Sequence, residues 1–516
     1  MRKKSPLKQL FNHPHHFLTF VAMQKKFLKN LALLVFLNLL VKPFWILGID
    51  REVQNVVGTS EYGFYFTIFN FSFLFFIFLD LGITNFNNRN IAQNNQLLNK
   101  HLAGIGTVKL LLGILYGLIL ILAGWLWGFR GRELYLLSWV GFNQFLLSFI
   151  LYLRSNISGL LLFKTDSFLS VLDRLLMIGI VGVLLWSGLF TGNFSIEWFV
   201  YSQTIAYSIT ALIALAAVLN KSGRLRLNWN APFFLMIIKK SLPFALLVLL
   251  MSFYNRIDPV LIARMLPDGV GDYQAGVYAQ AFRLLDAGQN FAFLFAVLLL
   301  PLFSRMIKEN QSIEHLVKLS FSIIISGALV IAIAAVFYGN EIMHLMYTQN
   351  SGESIAAYSL RIDQSARIFQ LLMFSFVAIS SNYIFGTLLT ANNNLKQLNL
   401  IAFAGLIVNI LLNLILIPHL QALGSAYASL ATQSVTALLQ FYMAHRLLHL
   451  RFNFKLIFKF LILVILLLTT GFLLDWFQAF SWAVSLLVML ALAVFFTIVL
   501  GLLNIQEFVE ILKGEE

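Results

Sequence analysis

Two arginines and two aspartates fall within the stretches "YNRIDPVLIA" and "YAQAFRLLDAGQN", near the middle of the chain. Arg283 and Asp286 are three residues apart, so they share one helix face and can pair with each other. Arg256 and Asp258 stand one helix earlier. Arginine presents a planar fork of donors that matches an oxyanion, which makes Arg256 and Arg283 candidate anion-binding residues. Asp258 and Asp286 either bind a proton or a sodium ion, or serve as counter-charges; the sequence leaves both roles open. Lys42 is a third candidate cation, beside Pro43 in "VKPFWILGID". Proline frees a backbone carbonyl that neighbouring groups or cavity water must satisfy, so a cation here suits a water-filled cavity.

The elements that must hold these charges follow from composition. Of 516 residues, 59% are hydrophobic and 11% charged, with a mean hydropathy of +0.83, whereas soluble domains carry about 25% charged residues. Apolar runs recur from end to end, each of about 18 residues or more and able to cross a hydrocarbon layer of about 30 Å as a helix. We therefore expect an all-α polytopic membrane protein with about fourteen transmembrane helices. The first is placed near 28–48, the second near 64–83, the eighth near 275–300, the ninth near 318–338, the tenth near 366–388 and the last near 480–503. Cysteine is absent, which excludes disulfides, thiolate metal sites and cysteine nucleophiles.

The net charge of +14 would suggest a nucleic-acid partner in a soluble protein, but its distribution speaks for orientation and no nucleic acid is expected. Lys25, Lys26, Lys164, Arg224, Lys239, Arg305, Lys308, Lys318, Lys396, Arg446 and Lys455 gather in loops on one side, and Arg51, Arg130, Arg132, Arg264 and Arg361 on the other. The positive-inside rule then places both termini in the cytoplasm. The segment after Leu28 is too long for a signal-peptide core, and Met23, with its own basic flank, reads as a natural start. His13, His15 and His16 read as a solvated tail rather than a metal site, since no acidic partner is near.

An internal repeat organises the chain. The segment from Arg51 to Phe69, containing "VGTSEYGFYFTIF", aligns without gaps with "RMLPDGVGDYQAGVYAQAF", from Arg264 to Phe282. Identities fall at Val57/Val270, Gly58/Gly271, Gly63/Gly276, Tyr65/Tyr278 and Phe69/Phe282. The expected layout is a basic tail (1–27), a six-helix lobe (28–220), a linker (221–232), a second six-helix lobe (233–445), a final helical hairpin (446–503) and an acidic tail (504–516). Both copies start on the same side, so the lobes are parallel repeats. The glycines are read as permitting tight outer turns, and Tyr65 and Tyr278 as interfacial residues. Lys109, Asp173 and Arg174 are read as shallow residues that snorkel to the interface, and Asp80 as a partner of Arg89. A loop from Tyr338 to Arg367 is the longest on the outer side.

The segments "VGTSEYGFYFTIFNFSFLFFIFLDLGITNFNNRNIAQ" and "NLKQLNLIAFAGLIVNILLNLILIPHLQALGSAYASLATQ", with the repeat, resemble the polysaccharide transporters of the multidrug/oligosaccharidyl-lipid/polysaccharide exporter superfamily. In the second segment Asn409, Asn413, Pro418, Gly424, Ala426 and Ala428 fall where that family shows an Asn-containing helix, a proline turn and small residues. The resemblance implies a flippase, not an enzyme, of a bacterial cytoplasmic (inner) membrane. It would carry an undecaprenyl-diphosphate-linked oligosaccharide, such as an O-antigen, capsule or exopolysaccharide unit, to the periplasmic leaflet by alternating access. Lys42, Arg256 and Arg283 would then meet the diphosphate. Membrane lipid, a polysaccharide polymerase and chain-length proteins are implied partners. A lipid II flippase and a cation-coupled multidrug exporter of the same superfamily are the alternatives; Lys42 in the first span, where many such exporters carry an acid, speaks against the latter. No catalytic constellation and no metal site is found. No cofactor is expected beyond a coupling proton or sodium ion, and without a "GxxxxGK[ST]" loop ATP hydrolysis is not expected.

Overall fold

The computed structural model describes residues 36–503, apart from 39, 85–86, 89–90, 92–95, 97, 188–193, 223–230, 451–453 and 478–479. Met23, both tails, the His13–His16 cluster, Arg89 and most of the linker lie outside them. Among the described residues the chain is helical, with no strand.

The first span does not stop at Gly48. After Pro43 the backbone widens into a π-helical segment, Trp45–Asp50, and then continues as α1, Arg51–Val57. Proline cannot supply an amide donor, and π segments of this kind occur at functional sites. Gly58, at φ +83°, ends α1, and α2 begins at Thr59. Helix α2, Thr59–Leu74, tightens into a 3₁₀ turn at Phe76–Leu79. There follow α3 (Leu98–Leu126), α4 (Arg132–Gly159), α5 (Phe163–Trp186) and α6 (Ile196–Leu219). The second half runs α7 (Ala231–Arg256), α8 (Asp258–Met265), α9 (Val270–Lys308), α10 (Glu314–Met346), α11 (Ile355–Ala391), α12 (Leu395–Leu420) and α13 (Ala422–Leu448). The hairpin α14 (Phe454–Phe477) and α15 (Trp482–Val499) completes the chain and packs on α10.

Ten described helices are long and apolar enough to cross a membrane, and eleven if α7 and α8, bent by 48°, form one span. The expected fourteen therefore exceeds what length and composition yield. The first span begins outside the described residues, α2 has only 16 residues, and α13 is diluted by Ser, Thr and Gln. Several helices are longer than the apolar runs that suggested them, because a helix keeps its hydrogen bonds beyond the hydrocarbon layer. The expected long loop after Tyr338 shrinks to 347–354, since α10 runs to Met346 and α11 starts at Ile355.

Consecutive helices alternate in direction. Residues 51–58, 127–131, 266–269 and 347–354 thus share one end, called here the repeat end, and Lys318, Lys396, Arg446 and Lys455 lie at the other, basic end. The helices of the first half pack on one another through α4 and α6, those of the second through α9, α11 and α13. The two groups meet chiefly where α2 crosses α9.

The repeat itself makes that crossing. A Cβ on Gly63 would lie 1.8 Å from the carbonyl oxygen of Asp272, and one on Gly276 would lie 2.0 Å from that of Thr59. Thr59 and Asp272 are themselves aligned in the repeat, so each copy lays its glycine on the other copy's backbone. The reading of Gly63 and Gly276 as turn residues is thereby corrected: both lie inside helices, where only glycine lets two backbones approach this closely. Gly58 does make a turn, but Gly271 does not. The positive φ in the second copy belongs to Gly269, at +80°. Tyr65 and Tyr278 are buried rather than interfacial.

Candidate functional site

Three clusters of polar groups lie among these helices. The first straddles the crossing. Arg283, on α9, reaches across to Asp50, with Nε 3.0 Å from a carboxylate oxygen, and donates to the Tyr62 hydroxyl at 2.8 Å. Tyr62 in turn donates to Asp50 at 2.8 Å. On its own helix Arg283 lies 3.4 Å from Asp286, which also pairs with Arg256 at 3.0 Å. The rings of Tyr62, Phe66 and Phe69 surround the Arg283 guanidinium at 5.8, 5.1 and 5.6 Å, an arrangement favourable to a cation. Two arginines thus face two aspartates, and the cluster is neutral. Arg256, Arg283 and Asp286 come together as their spacing suggested, but Asp50 turns a pair of candidate anion ligands into a balanced network.

Lys42 lies elsewhere, within the first half. It is partly buried, in electrostatic range of Arg174, Asp173 and Arg154. Arg154 is already bound by Asp166, at 2.8 Å. Arg174 stays 3.7 Å from Asp173, touches the Met177 sulfur at 3.3 Å and stacks over Trp45 and Tyr207 at 5.5 and 5.8 Å. Among the described residues Asp173 is thus the one carboxylate in electrostatic range of Lys42, and it also serves Arg174, so the cluster carries excess positive charge. Arg174 does not snorkel as a shallow residue would. Neither does Lys109, which is buried and bonded to Asp80, to the Leu79 carbonyl at 3.0 Å and to Ser148 at 3.2 Å. Asp80 therefore has Lys109 for its partner.

Asp258 belongs to the third cluster and joins neither arginine. Its carboxylate, 1% exposed, accepts from Tyr278 at 2.9 Å, Asn413 at 2.9 Å and Asn409 at 3.1 Å. Ser425 donates to the Asn413 amide oxygen at 2.5 Å. The carboxylate is held by neutral donors only, so its role as a charge partner of Arg256 does not stand. The helix break after Arg256 is the cause, because it turns Asp258 away from Arg256 and towards Tyr278 of α9 and the asparagines of α12.

At the repeat end, charges tie the halves together. Arg264 bonds Glu133 across the two halves at 2.6 Å, and Arg132 joins Glu61 at 2.7 Å and Glu197 at 2.8 Å. The 347–354 loop clasps the first half, Asn350 donating to Thr59 at 2.8 Å and Asn55 to the Met346 carbonyl at 3.1 Å. Buried Arg361 anchors that loop through Glu353 at 2.9 Å and the Thr348 carbonyl at 2.8 Å. Burial pushes the Glu353 carboxyl up, but its hydrogen bonds to Arg361 and the Asn350 amide outweigh this and leave it below the ordinary carboxylate range.

Asp50, Tyr62 and Arg174 are site residues that sequence reasoning missed. The apolar run ends at Gly48, so the expected span of 28–48 leaves Asp50 outside it. The absence of turn residues between Gly48 and Val57 is the signal that could have kept it in the helix.

Comparison with known proteins bears on the family. The sequence profile of a family described as polysaccharide biosynthesis protein matches residues 27–307. The fold is similar to that of the lipid II flippase MurJ in an inward closed conformation, with a TM-score of 0.66 at 14% identity, over 89% of this chain and 97% of that one. An inward-facing MATE multidrug resistance transporter of the MOP superfamily follows at TM-score 0.59 and 13% identity, over 80% and 94% of the two chains. A MOP superfamily transporter from Pyrococcus furiosus described as having a binding pocket of reverse polarity gives 0.58 and 14%, over 81% and 95%. No curated protein matches the sequence significantly. With more than half of its length matched by the family profile, and with a fold similar to that of the MurJ and MATE transporters, the chain belongs to the polysaccharide biosynthesis protein family.

Proposed function

We propose that this protein flips an undecaprenyl-diphosphate-linked oligosaccharide, an O-antigen, capsule or exopolysaccharide unit, from the cytoplasmic to the periplasmic leaflet of an inner membrane by alternating access. The observation that carries the proposal is the Lys42–Arg174 pair, two membrane-embedded cations that share one carboxylate. An uncompensated charge at this depth costs about 2.5 to 3.5 kcal/mol on insertion scales, and an anionic ligand removes that cost. A diphosphate supplies two negative groups on one rigid link; Arg174 engages one through its fork of donors and Lys42 the other as a compact charge. The lobes 28–220 and 233–445 are the rocking units, and the basic end faces the cytoplasm.

In this reading the neutral Arg256–Arg283–Asp50–Asp286 network holds the two halves together at the crossing, and ligand binding to Lys42 and Arg174 changes the balance of charge within the first half. Asp258, with only Asn409, Asn413 and Tyr278 as partners, is the site for a coupling proton or sodium ion. Rotation of the two amides turns carbonyl oxygens towards a cation at the carboxylate. The fold is shared with a lipid II flippase and with multidrug transporters. Lipid II carries the same diphosphate and would use the same cations. A cationic drug would be repelled by them, although Asp50 does supply an acid to the first span.

The test is transport in proteoliposomes of a fluorescent diphosphate-linked oligosaccharide. Lys42→Ala and Arg174→Ala each reduce the rate at least tenfold, as loss of one charge-assisted contact of about 1.5 to 3 kcal/mol requires. The proposal fails if both variants transport at the parent rate, or if the parent exports a cationic dye and leaves the oligosaccharide in place.

A further inference from the structure

A cavity of about 780 Å³ lies at the basic end, between α10, α11, α13 and α14. None of its lining residues belongs to the three polar clusters. Its floor is aromatic: Phe385 packs against Phe321 at 5.6 Å and against Phe441 at 5.2 Å between ring centroids. Its rim is basic and comes from three helices. His315 and Lys318 lie on the first turns of α10, His445 in the last turns of α13, and Lys455 at the start of α14. Glu314 is the one acid that lines it. His315 and Lys318 are three apart and so share a helix face, with Phe321 three further on. In α10 and α13 the charge is therefore at the mouth and the ring below it.

This chemistry excludes two classes of occupant. A soluble metabolite would leave the aromatic floor unmet, and a bare hydrocarbon would leave Lys318 and Lys455 unmet. An amphiphile with an anionic head and acyl chains meets both. The position suits one as well, because the rim lies among the basic loop residues, at the depth of the headgroups. Basic pockets between transmembrane helices on the cytoplasmic side bind anionic headgroups in this way. The hairpin α14–α15 rests chiefly on α10, so a lipid seated between α10, α13 and α14 adds a second attachment.

We propose that this cavity is a binding site for an anionic phospholipid of the cytoplasmic leaflet, its phosphate held by Lys318 and Lys455 and its chains on Phe321, Phe385 and Phe441. The site fixes the terminal hairpin to the second half of the molecule.

Native mass spectrometry of the full chain, titrated with phosphatidylglycerol or phosphatidylethanolamine, tests this. The parent retains phosphatidylglycerol about tenfold better, and Lys318→Gln/Lys455→Gln brings the ratio to about twofold or less, as loss of about 1 kcal/mol per lysine requires. Both lysines are exposed, and unchanged melting of the double variant in phosphatidylethanolamine verifies its fold. Phosphatidylglycerol raises the melting temperature of the parent and leaves that of the variant unchanged. Equal retention of the two lipids by the parent overturns the proposal, as does undiminished preference in the double variant. Displacement of phosphatidylglycerol by an equal concentration of undecaprenyl phosphate also overturns it, because the cavity then belongs to the transported lipid.

Discussion

Helices α2 and α9 carry the same signature and meet through the same glycines, yet they use the next aligned position in opposite ways. In α2 that position is Asn70, which donates at 2.7 Å to the Phe66 carbonyl of its own helix. In α9 it is Arg283, which leaves its helix to engage Asp50 and Tyr62 across the crossing. The aligned tyrosines diverge as well. Tyr65 accepts from the neutral Gln203 amide at 3.0 Å, whereas Tyr278 donates to the buried Asp258 carboxylate at 2.9 Å. Duplication thus preserved the backbone joint, while ionic chemistry accumulated in one copy.

The joint is the place to break first. Gly63→Ala and Gly276→Ala each drive a methyl group into a backbone carbonyl, which no rotamer change relieves. Either variant should lose folded protein or all export, measured by size-exclusion profile and surface glycan. Gly117→Ala, where nothing lies within 4 Å, should match the parent. Next is the contrast between Arg283 and Asn70. Arg283→Ala leaves Asp50 buried and unpaired, at a cost of about 3 to 5 kcal/mol, and should lower the melting temperature sharply. Asn70→Ala removes one local hydrogen bond, worth about 1 kcal/mol. The double change Arg283→Gln/Asp50→Asn should recover much of the stability. If Arg283→Ala melts like Asn70→Ala, the crossing network does not hold the halves together.

The tyrosines give a smaller difference. Tyr278→Phe removes a donor to a carboxylate, a loss of about 1.5 to 3 kcal/mol, and Tyr65→Phe removes a neutral bond worth about 1 kcal/mol. Chemical denaturation in detergent would read both, and equal losses would dissolve the distinction between the copies. The smallest effect concerns the Arg361 clasp. Because the folded Glu353 carboxyl lies below its ordinary value of about 4.3, its stabilisation is fully present above that value and fades as pH falls through the lower folded value. The parent should therefore lose stability below about pH 4 by more than Glu353→Gln does, in melting curves taken across that range.

The membrane class and most of the spans were legible because an apolar run of sufficient length has few alternatives. The repeat was legible too, as were Arg256, Arg283 and Asp286, whose spacing within one or two helices nearly dictates that they meet. What stayed hidden was set by contacts between segments far apart in sequence. Asp50 and Arg283 belong to opposite halves, and no local pattern joins them. Lys109 and Asp173 illustrate another limit, since depth along a helix does not reveal which face is turned inward. Which of its two open roles Asp258 takes was hidden because two residues of separation from Arg256 conceal a 48° bend. The glycines were misread for a simpler reason: residues that tolerate positive φ and residues that admit a neighbouring backbone are written with the same letter.

The widened turn after Pro43 has a consequence for how this chain tolerates insertions and deletions. Lys42 and Asp50 bracket the π-helical segment Trp45–Asp50, and they serve different clusters in different directions. Deleting one residue within it would restore ordinary helical pitch and rotate everything beyond by about 100° relative to Lys42. Asp50 would leave Tyr62 and Arg283 with no change to any of the three side chains. The segment therefore behaves as a counted spacer, in which the number of residues is constrained more tightly than their identity.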